Sequence, residues 1–286
     1  MKIGIVGLGL IGGSLAKAIV NNTNHVVSGF DRNEDVVKKA LSEGVIKTSL
    51  GKENISDMDF LIVCLYPDAT VKYIRDNAHL IKKGGVVMDT CGVKTKVCDA
   101  LFPVAKQYGF VFMGTHPMAG IEFSGYDHSK GELFRNASII LVPENNDNTD
   151  EGTSKKTMED IKKFYRSIGF KNTVVSTSEE HDRIISYTSQ LAHVVSSAYV
   201  KSPTASRYMG FSAGSFQDMT RVAKLNEDMW TELFMENQDY LTEEIDRLIS
   251  DLVKYKEAIK DGEEETLKNL LKDGRIIRER LNNEKK

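Results

Sequence analysis

The chain has 286 residues, of which 41% are hydrophobic and 28% charged, enough apolar material for two cores of ordinary size under a charged surface. The 38 Lys and Arg against 41 Asp and Glu leave a formal charge of −3, so no overall field favours nucleic acid and an anionic ligand must be met by local cations. No run approaches the ~20 apolar residues of a membrane span. Cys64, Cys91 and Cys98 are odd in number and lack a CxxC pair, which fits neither a disulfide framework nor a zinc site. A reducing cytoplasm is therefore the expected compartment, without a metal, a membrane or nucleic acid as partner. Lys2 and the apolar start loosely imitate a secretory signal, but glycines interrupt the stretch before Ser14, as a strand-turn-helix requires.

In chain order, residues 3–6 read as a short buried strand, followed by a glycine turn and a helix over 12–20. A second strand is expected at 25–30 and a Lys- and Glu-rich helix at 34–43. Residues 59–65 begin polar and run on apolar, as in a strand buried on both faces; 85–89 and 110–113 repeat the pattern after helical stretches. Residues 138–142 form another β-branched run, and 173–175 suit a last strand. The polar stretch 145–156 reads as a surface loop, with a helix over 158–168 behind it. Strands alternating with helices predict an α/β fold, a doubly wound parallel sheet of the Rossmann type, over residues 1–176. Beyond it only helical periodicity remains, at 184–199, 229–255 and 263–281, so residues 177–286 are expected to form an all-α domain.

Gly7-Leu8-Gly9-Leu10-Ile11-Gly12 is a GxGxxG turn placed directly after a strand and opening a helix, the setting that makes the motif informative. Gly7 allows the tight turn, Gly9 the approach of a pyrophosphate, and Gly12 close helix-strand packing; Leu10 and Ile11 open the helix whose N–H groups would meet the phosphates. Asp31 ends the second strand about 20 residues further on, where a ribose-binding acid belongs. A carboxylate about 5 Å from a 2′-phosphate costs roughly 3 kcal/mol per unit charge at an effective dielectric of ~20. Arg32, next in sequence, offsets part of this. NAD is the expected cofactor.

The segment Gly114-Thr115-His116-Pro117-Met118-Ala119-Gly120-Ile121-Glu122-Phe123-Ser124-Gly125 follows a strand, so His116 should sit at the carboxyl edge of the sheet, where open α/β folds bind ligands. A neutral imidazole there suits removal of an alcohol proton as hydride leaves its carbon, with activity falling through a pKa near 6.5 on acidification.

This stretch resembles the active-site segment of the prephenate and arogenate dehydrogenases. Three others resemble that family in order and rough spacing: Asp89-Thr90-Cys91-Gly92-Val93-Lys94, Ser189-Gln190-Leu191-Ala192-His193, and Phe216-Gln217-Asp218-Met219-Thr220-Arg221 running on to Asp228-Met229-Trp230. The resemblance covers essentially the whole chain. It implies that His116 accepts the ring hydroxyl proton and that Arg221 holds a substrate carboxylate. It also implies that His193 contacts the substrate side chain and that Glu122 gates the pocket. Many relatives have a serine where Gly92 stands, so Thr90, Thr95 or a water would have to orient the histidine here; Gln217 stands where some have a lysine. The implied reaction is NAD-dependent oxidative decarboxylation of prephenate in tyrosine biosynthesis, with arogenate as the alternative substrate. The helices read over 177–286 carry more apolar face than one small bundle buries, so a homodimer built through the helical domain is expected. Two rivals share the fold: a β-hydroxyacid or 6-phosphogluconate-type dehydrogenase, disfavoured because its second domain carries a catalytic lysine, and a non-enzymatic NAD-binding sensor.

Overall fold

The computed structural model describes residues 1–144 and 153–283. They form two compact units, Met1–Asn237 and Gln238–Lys286. The first opens with β1 (Lys2–Val6), α1 (Leu10–Asn22), β2 (Val26–Phe30), α2 (Glu34–Ser42) and β3 (Thr48–Ser49), and continues with β4 (Phe60–Val63), α3 (Pro67–Asn77), β5 (Val86–Asp89), α4 (Thr95–Tyr108) and β6 (Val111–Pro117). Next come β7 (Ser138–Val142), α5 (Lys155–Ser167), β8 (Asn172–Val175), α6 (Ser178–Ile185), one π turn at Ser186–Gln190, α7 (Leu191–Tyr199), α8 (Gly214–Thr220) and α9 (Glu227–Glu236). Helices α2, α5, α6 and α9 start where short polar side chains satisfy free N–H groups: Asn33 accepts from the Asp35 N–H, Ser154 from Thr157, Thr177 from Glu180 and Asn226 from Met229. Gly109, at φ 77°, ends α4 in the left-handed conformation that glycine adopts without strain.

The eight strands among the described residues join one sheet, in the order β3-β2-β1-β4-β5-β6-β7-β8. Alternate residues of β4, β5 and β6 feed opposite faces: Ile62, Met88 and Met113 pack with α1 and α5, whereas Leu61, Val63, Val87 and Phe112 pack with α4. Burial on both faces explains the continuous apolar runs. The expectation of a wholly parallel sheet needs one correction. β7 runs antiparallel to β6, with His116 opposite Ile140, and β8 is parallel to β7. The physical reason lies in the connection, which holds only a short 3-10 turn at Tyr126–His128 and no crossover helix, so the chain returns beside β6 in the opposite sense.

Among the described residues no strand follows Val175, so the rest is helical as expected. The helix expected at 229–255 is broken: Asn237 leaves helical geometry, and its buried amide donates to the Asp182 carbonyl (2.9 Å) and to Gln190 Oε1 (2.7 Å). In the expected loop at 145–156, residues 145–152 lie outside the described part, and α5 starts at Lys155, three residues before the position read from the sequence. The second unit pairs α10 (Gln238–Lys260) with α11 (Glu264–Asn283), where Tyr255 Oη donates to the Leu270 carbonyl at 3.1 Å. No described helix is long and apolar enough to cross a membrane.

Candidate active site

A cleft of about 800 Å³ runs along the carboxyl ends of β1, β4, β5 and β6. Its lining joins Gly9, Leu10, Ile11 and Gly12 at one end to His193, Arg221 and Trp230 at the other, with Gly92, His116 and Glu122 also on its wall. The cleft lies where β1 is flanked by β2 and β4, the topological switch at which open α/β sheets bind ligands.

At the glycine end the backbone itself makes the site. Gly7 has φ +88°, and a Cβ there would come within 2.5 Å of the Cys64 carbonyl oxygen; a Cβ on Gly12 would stand 1.8 Å from the Gly7 carbonyl oxygen. Gly9 differs: among the described residues nothing lies within 4 Å of its would-be Cβ, so a ligand can approach. Gly9 is also the N-cap of α1 and supplies no side-chain acceptor, which leaves the first N–H groups of α1 for an anion. The Asp31 carboxylate is already oriented, with Leu8 N–H donating to Oδ2 (2.8 Å) and Asn33 N–H to Oδ1 (2.9 Å). Each oxygen keeps lone pairs for ribose hydroxyls. Arg32 beside it is exposed. This cradle fits a dinucleotide.

At the reaction end His116 sits near the end of β6, partly accessible from the cleft and otherwise enclosed by protein. Its Nδ1 is 2.9 Å from His181 Nε2, and His181 Nδ1 is 2.7 Å from Asp182 Oδ1. The orienting group read from the sequence as Thr90, Thr95 or water is thus replaced at Nδ1 by a second histidine. Asp182 is fixed in turn by backbone donors, Lys94 N–H to Oδ1 (2.7 Å) and Thr95 N–H to Oδ2 (2.8 Å). Burial raises the Asp182 pKa, but hydrogen bonds from His181 and Thr95 outweigh it and keep the carboxylate charged.

Beneath them, with no exposed side-chain surface, Lys94 pairs with Asp89, which also accepts from the Cys91 and Thr115 N–H groups, both at 2.9 Å. Burial pulls the Lys94 pKa down, yet the Asp89 charge reverses this and the lysine stays protonated. Burial, then His181 and the Lys94 cation, hold the His116 pKa well below 6.5. Burial also lowers the pKa of His181, partly offset by its bond to Asp182. Both rings are therefore neutral at neutral pH.

His193 presents Nδ1 to the Val222 carbonyl at 3.0 Å and packs its ring at a tilt of 39° against Trp230, the centroids 3.8 Å apart. The carbonyl fixes the proton on Nδ1 and leaves Nε2 available. Arg221 reaches Glu122 at 2.9 Å, an ion pair on an exposed part of the wall. Gly92 does not have positive φ, and a Cβ there would meet only Leu233, at 3.3 Å. The cleft also holds Lys224, whose Nζ lies 5.7 Å from the centre of the Phe123 ring.

Lys224, His181 and Asp182 are site residues that the sequence reading missed. His181-Asp182 follow Ser178-Glu179-Glu180 and read as the acidic first turn of a capped helix. The π turn at Ser186–Gln190, which shifts the register between His181 and His193, has no sequence signature.

A glycine turn with a pre-oriented acid, sharing one cleft with an enclosed neutral histidine, defines a dinucleotide-dependent dehydrogenase of the Rossmann type. Residues 15–174 match the family described as prephenate dehydrogenase, nucleotide-binding domain, and residues 177–273 match prephenate dehydrogenase, dimerization domain. The chain belongs to the prephenate dehydrogenase family. It is 32% identical to a cyclohexadienyl dehydrogenase of Zymomonas mobilis, over 91% of this chain and 90% of that protein. It is 29% identical to a prephenate dehydrogenase of Bacillus subtilis, over 97% of this chain and 75% of that protein. The solved prephenate dehydrogenase from A. aeolicus, in complex with hydroxyphenyl propionate and NAD+, superposes with a TM-score of 0.84 at 27% identity, covering 98% of each chain.

Proposed function

We propose that the chain oxidises prephenate with NAD+ and releases 4-hydroxyphenylpyruvate and CO2. The observation that carries this reading is the single cleft joining the glycine cradle to His116, His193 and Arg221. Gly7, Gly9 and Gly12 with the first turn of α1 (Leu10, Ile11) hold the pyrophosphate; Asp31, beside Arg32, takes the ribose hydroxyls. Bound NAD+ supplies the hydride acceptor. His116 accepts the ring hydroxyl proton at Nε2, the nitrogen not committed to His181. Loss of the ring carboxylate as CO2 leaves an aromatic product, which drives the reaction forward. Prephenate is a dianion, and the cleft-lining residues offer two cations for it, Arg221 and Lys224. Glu122 occupies Arg221 before substrate arrives and must give way to a carboxylate, which suits a gate. His193 Nε2 faces the keto side chain. Gly92 widens the wall opposite Leu233.

Steady-state kinetics with both substrates and both cofactors test the reading. The expected order of kcat/KM is prephenate over arogenate and NAD+ over NADP+. Higher efficiency with arogenate or with NADP+ overturns the corresponding half.

Arg221→Ala should raise KM for prephenate by about tenfold to a hundredfold, the effect of losing one charge-assisted bond present already in the ground state. NAD+ affinity should stay within about twofold of the parent, because Arg221 contributes to substrate binding alone. A matching loss of NAD+ binding would give the arginine a structural role.

Residues 1–176 are assigned to dinucleotide binding and 177–286 to substrate binding and homodimerisation. In the second unit Ile249, Leu252, Ile259, Leu271 and Ile277 are each more than half exposed, more apolar side chain than an isolated helix pair leaves to water. Sedimentation equilibrium at micromolar concentration should return a dimer mass; a monomer contradicts the assignment. The expected compartment is the cytoplasm.

A further inference from the structure

The reading of His116 as the base leaves open what keeps its reactive nitrogen unprotonated. Each imidazole has one proton to place when neutral, and the wrong choice turns a base into a donor. The hydrogen-bond chain Asp182–His181–His116 settles the choice from its far end. The Asp182 carboxylate can only accept, so His181 must carry its proton on Nδ1, 2.7 Å away. His181 Nε2 is then a lone pair, and His116 Nδ1, at 2.9 Å, must donate to it.

We propose that His181 and Asp182 are positioning residues that hold His116 in its Nδ1–H tautomer, with the Nε2 lone pair turned to the cleft. This rests on the reading of His116 as the base. When His116 takes a proton at Nε2 it becomes an imidazolium whose Nδ1–H still donates to His181, and the nearby Asp182 carboxylate stabilises the new positive charge. No further proton has to move. The charged groups that face the histidine pair are Asp182, Lys94 and Asp89, and the last two form a closed pair. The anchoring of Asp182 by the Lys94 and Thr95 N–H groups sets the geometry of the chain at the start of α4. The same arrangement accounts for the glycine at position 92: the ring does not need a hydroxyl there to orient it.

Two substitutions separate positioning from packing. In His181→Asn the amide reaches only the place of Nδ1, so Asp182 keeps a partner while His116 Nδ1 loses its own. In His181→Gln the amide oxygen can occupy the place of Nε2 and accept from His116. With NAD+-saturated enzyme, His181→Asn should lower kcat by about 10–100-fold, with KM for prephenate and NAD+ affinity within about twofold of the parent. His181→Gln should recover about tenfold of that loss. Equal losses in the two variants overturn the proposal. Nitrogen-15 NMR of the parent at neutral pH gives a test that no folding defect can obscure: His116 should show a protonated Nδ1 and a bare Nε2, and the reverse tautomer overturns the proposal. Failure of the base reading looks different, because His116→Asn would then keep its activity while the parent tautomer remains as stated.

Discussion

His116→Asn is expected to lower kcat by about 10²–10⁴ while leaving NAD+ affinity within about twofold of the parent. Asparagine can hydrogen-bond the substrate hydroxyl but cannot take its proton, so the substitution removes base catalysis and spares positioning. The pH profile supplies a second readout. The unprotonated ring is the active form, so activity falls as pH drops through the His116 pKa. Burial, the largest cause, and the Lys94 cation lower that pKa, as does the charge of His181 once that ring is itself protonated in acid, so the acid limb of kcat/KM should lie below 6.5, the value an unperturbed histidine would give. The limb should be absent from the His116→Asn profile. A variant that keeps more than about a tenth of parental kcat would remove His116 from the role of base.

That displaced limb also marks the boundary of what the sequence made legible. The strands were readable because a sheet covered on both faces demands unbroken apolar runs, and residues 59–65 and 85–89 supply them. The cofactor end was equally readable, since the glycine turn, α1 and Asp31 are local and fixed by backbone geometry. The antiparallel return of β7 was not readable, because a loop of ordinary composition does not reveal the direction in which it brings the chain back. The break at Asn237 was hidden because the helical period continues through it, and only the partners of its amide, Asp182 and Gln190, make the turn favourable. At the reaction end the sequence supplied His116, His193 and Arg221 but not their environment. The contact between His116 and His181 joins β6 to α6 across 65 positions, and no spacing rule encodes it.

Lys94 tests that environment from below, and its removal is expected to show in both stability and pH dependence. The Lys94–Asp89 pair has no exposed side-chain surface, and breaking a buried pair by deleting one partner typically costs about 3–5 kcal/mol because the other charge is left in a poor medium. Lys94→Met keeps much of the volume and removes the charge. For a chain of this size the cost corresponds to a Tm lower by roughly 6–20 °C. The smaller end of that range is expected here, because Asp89 retains the Cys91 and Thr115 N–H groups as donors. The backbone N–H of Lys94 that anchors Asp182 is untouched by the substitution, so the His116–His181 chain should stay assembled. With the cation gone, one of the three causes that lower the His116 pKa disappears, and the acid limb of kcat/KM should move up toward 6.5. The two readouts can be told apart by comparing Lys94→Met with Lys94→Arg, which keeps the charge but must fit a larger head into the same buried space. The arginine variant should lose stability without shifting the limb. A Lys94→Met enzyme with parental Tm, or with its acid limb unmoved, would mean that the buried cation neither stabilises Asp89 nor sets the protonation of the base.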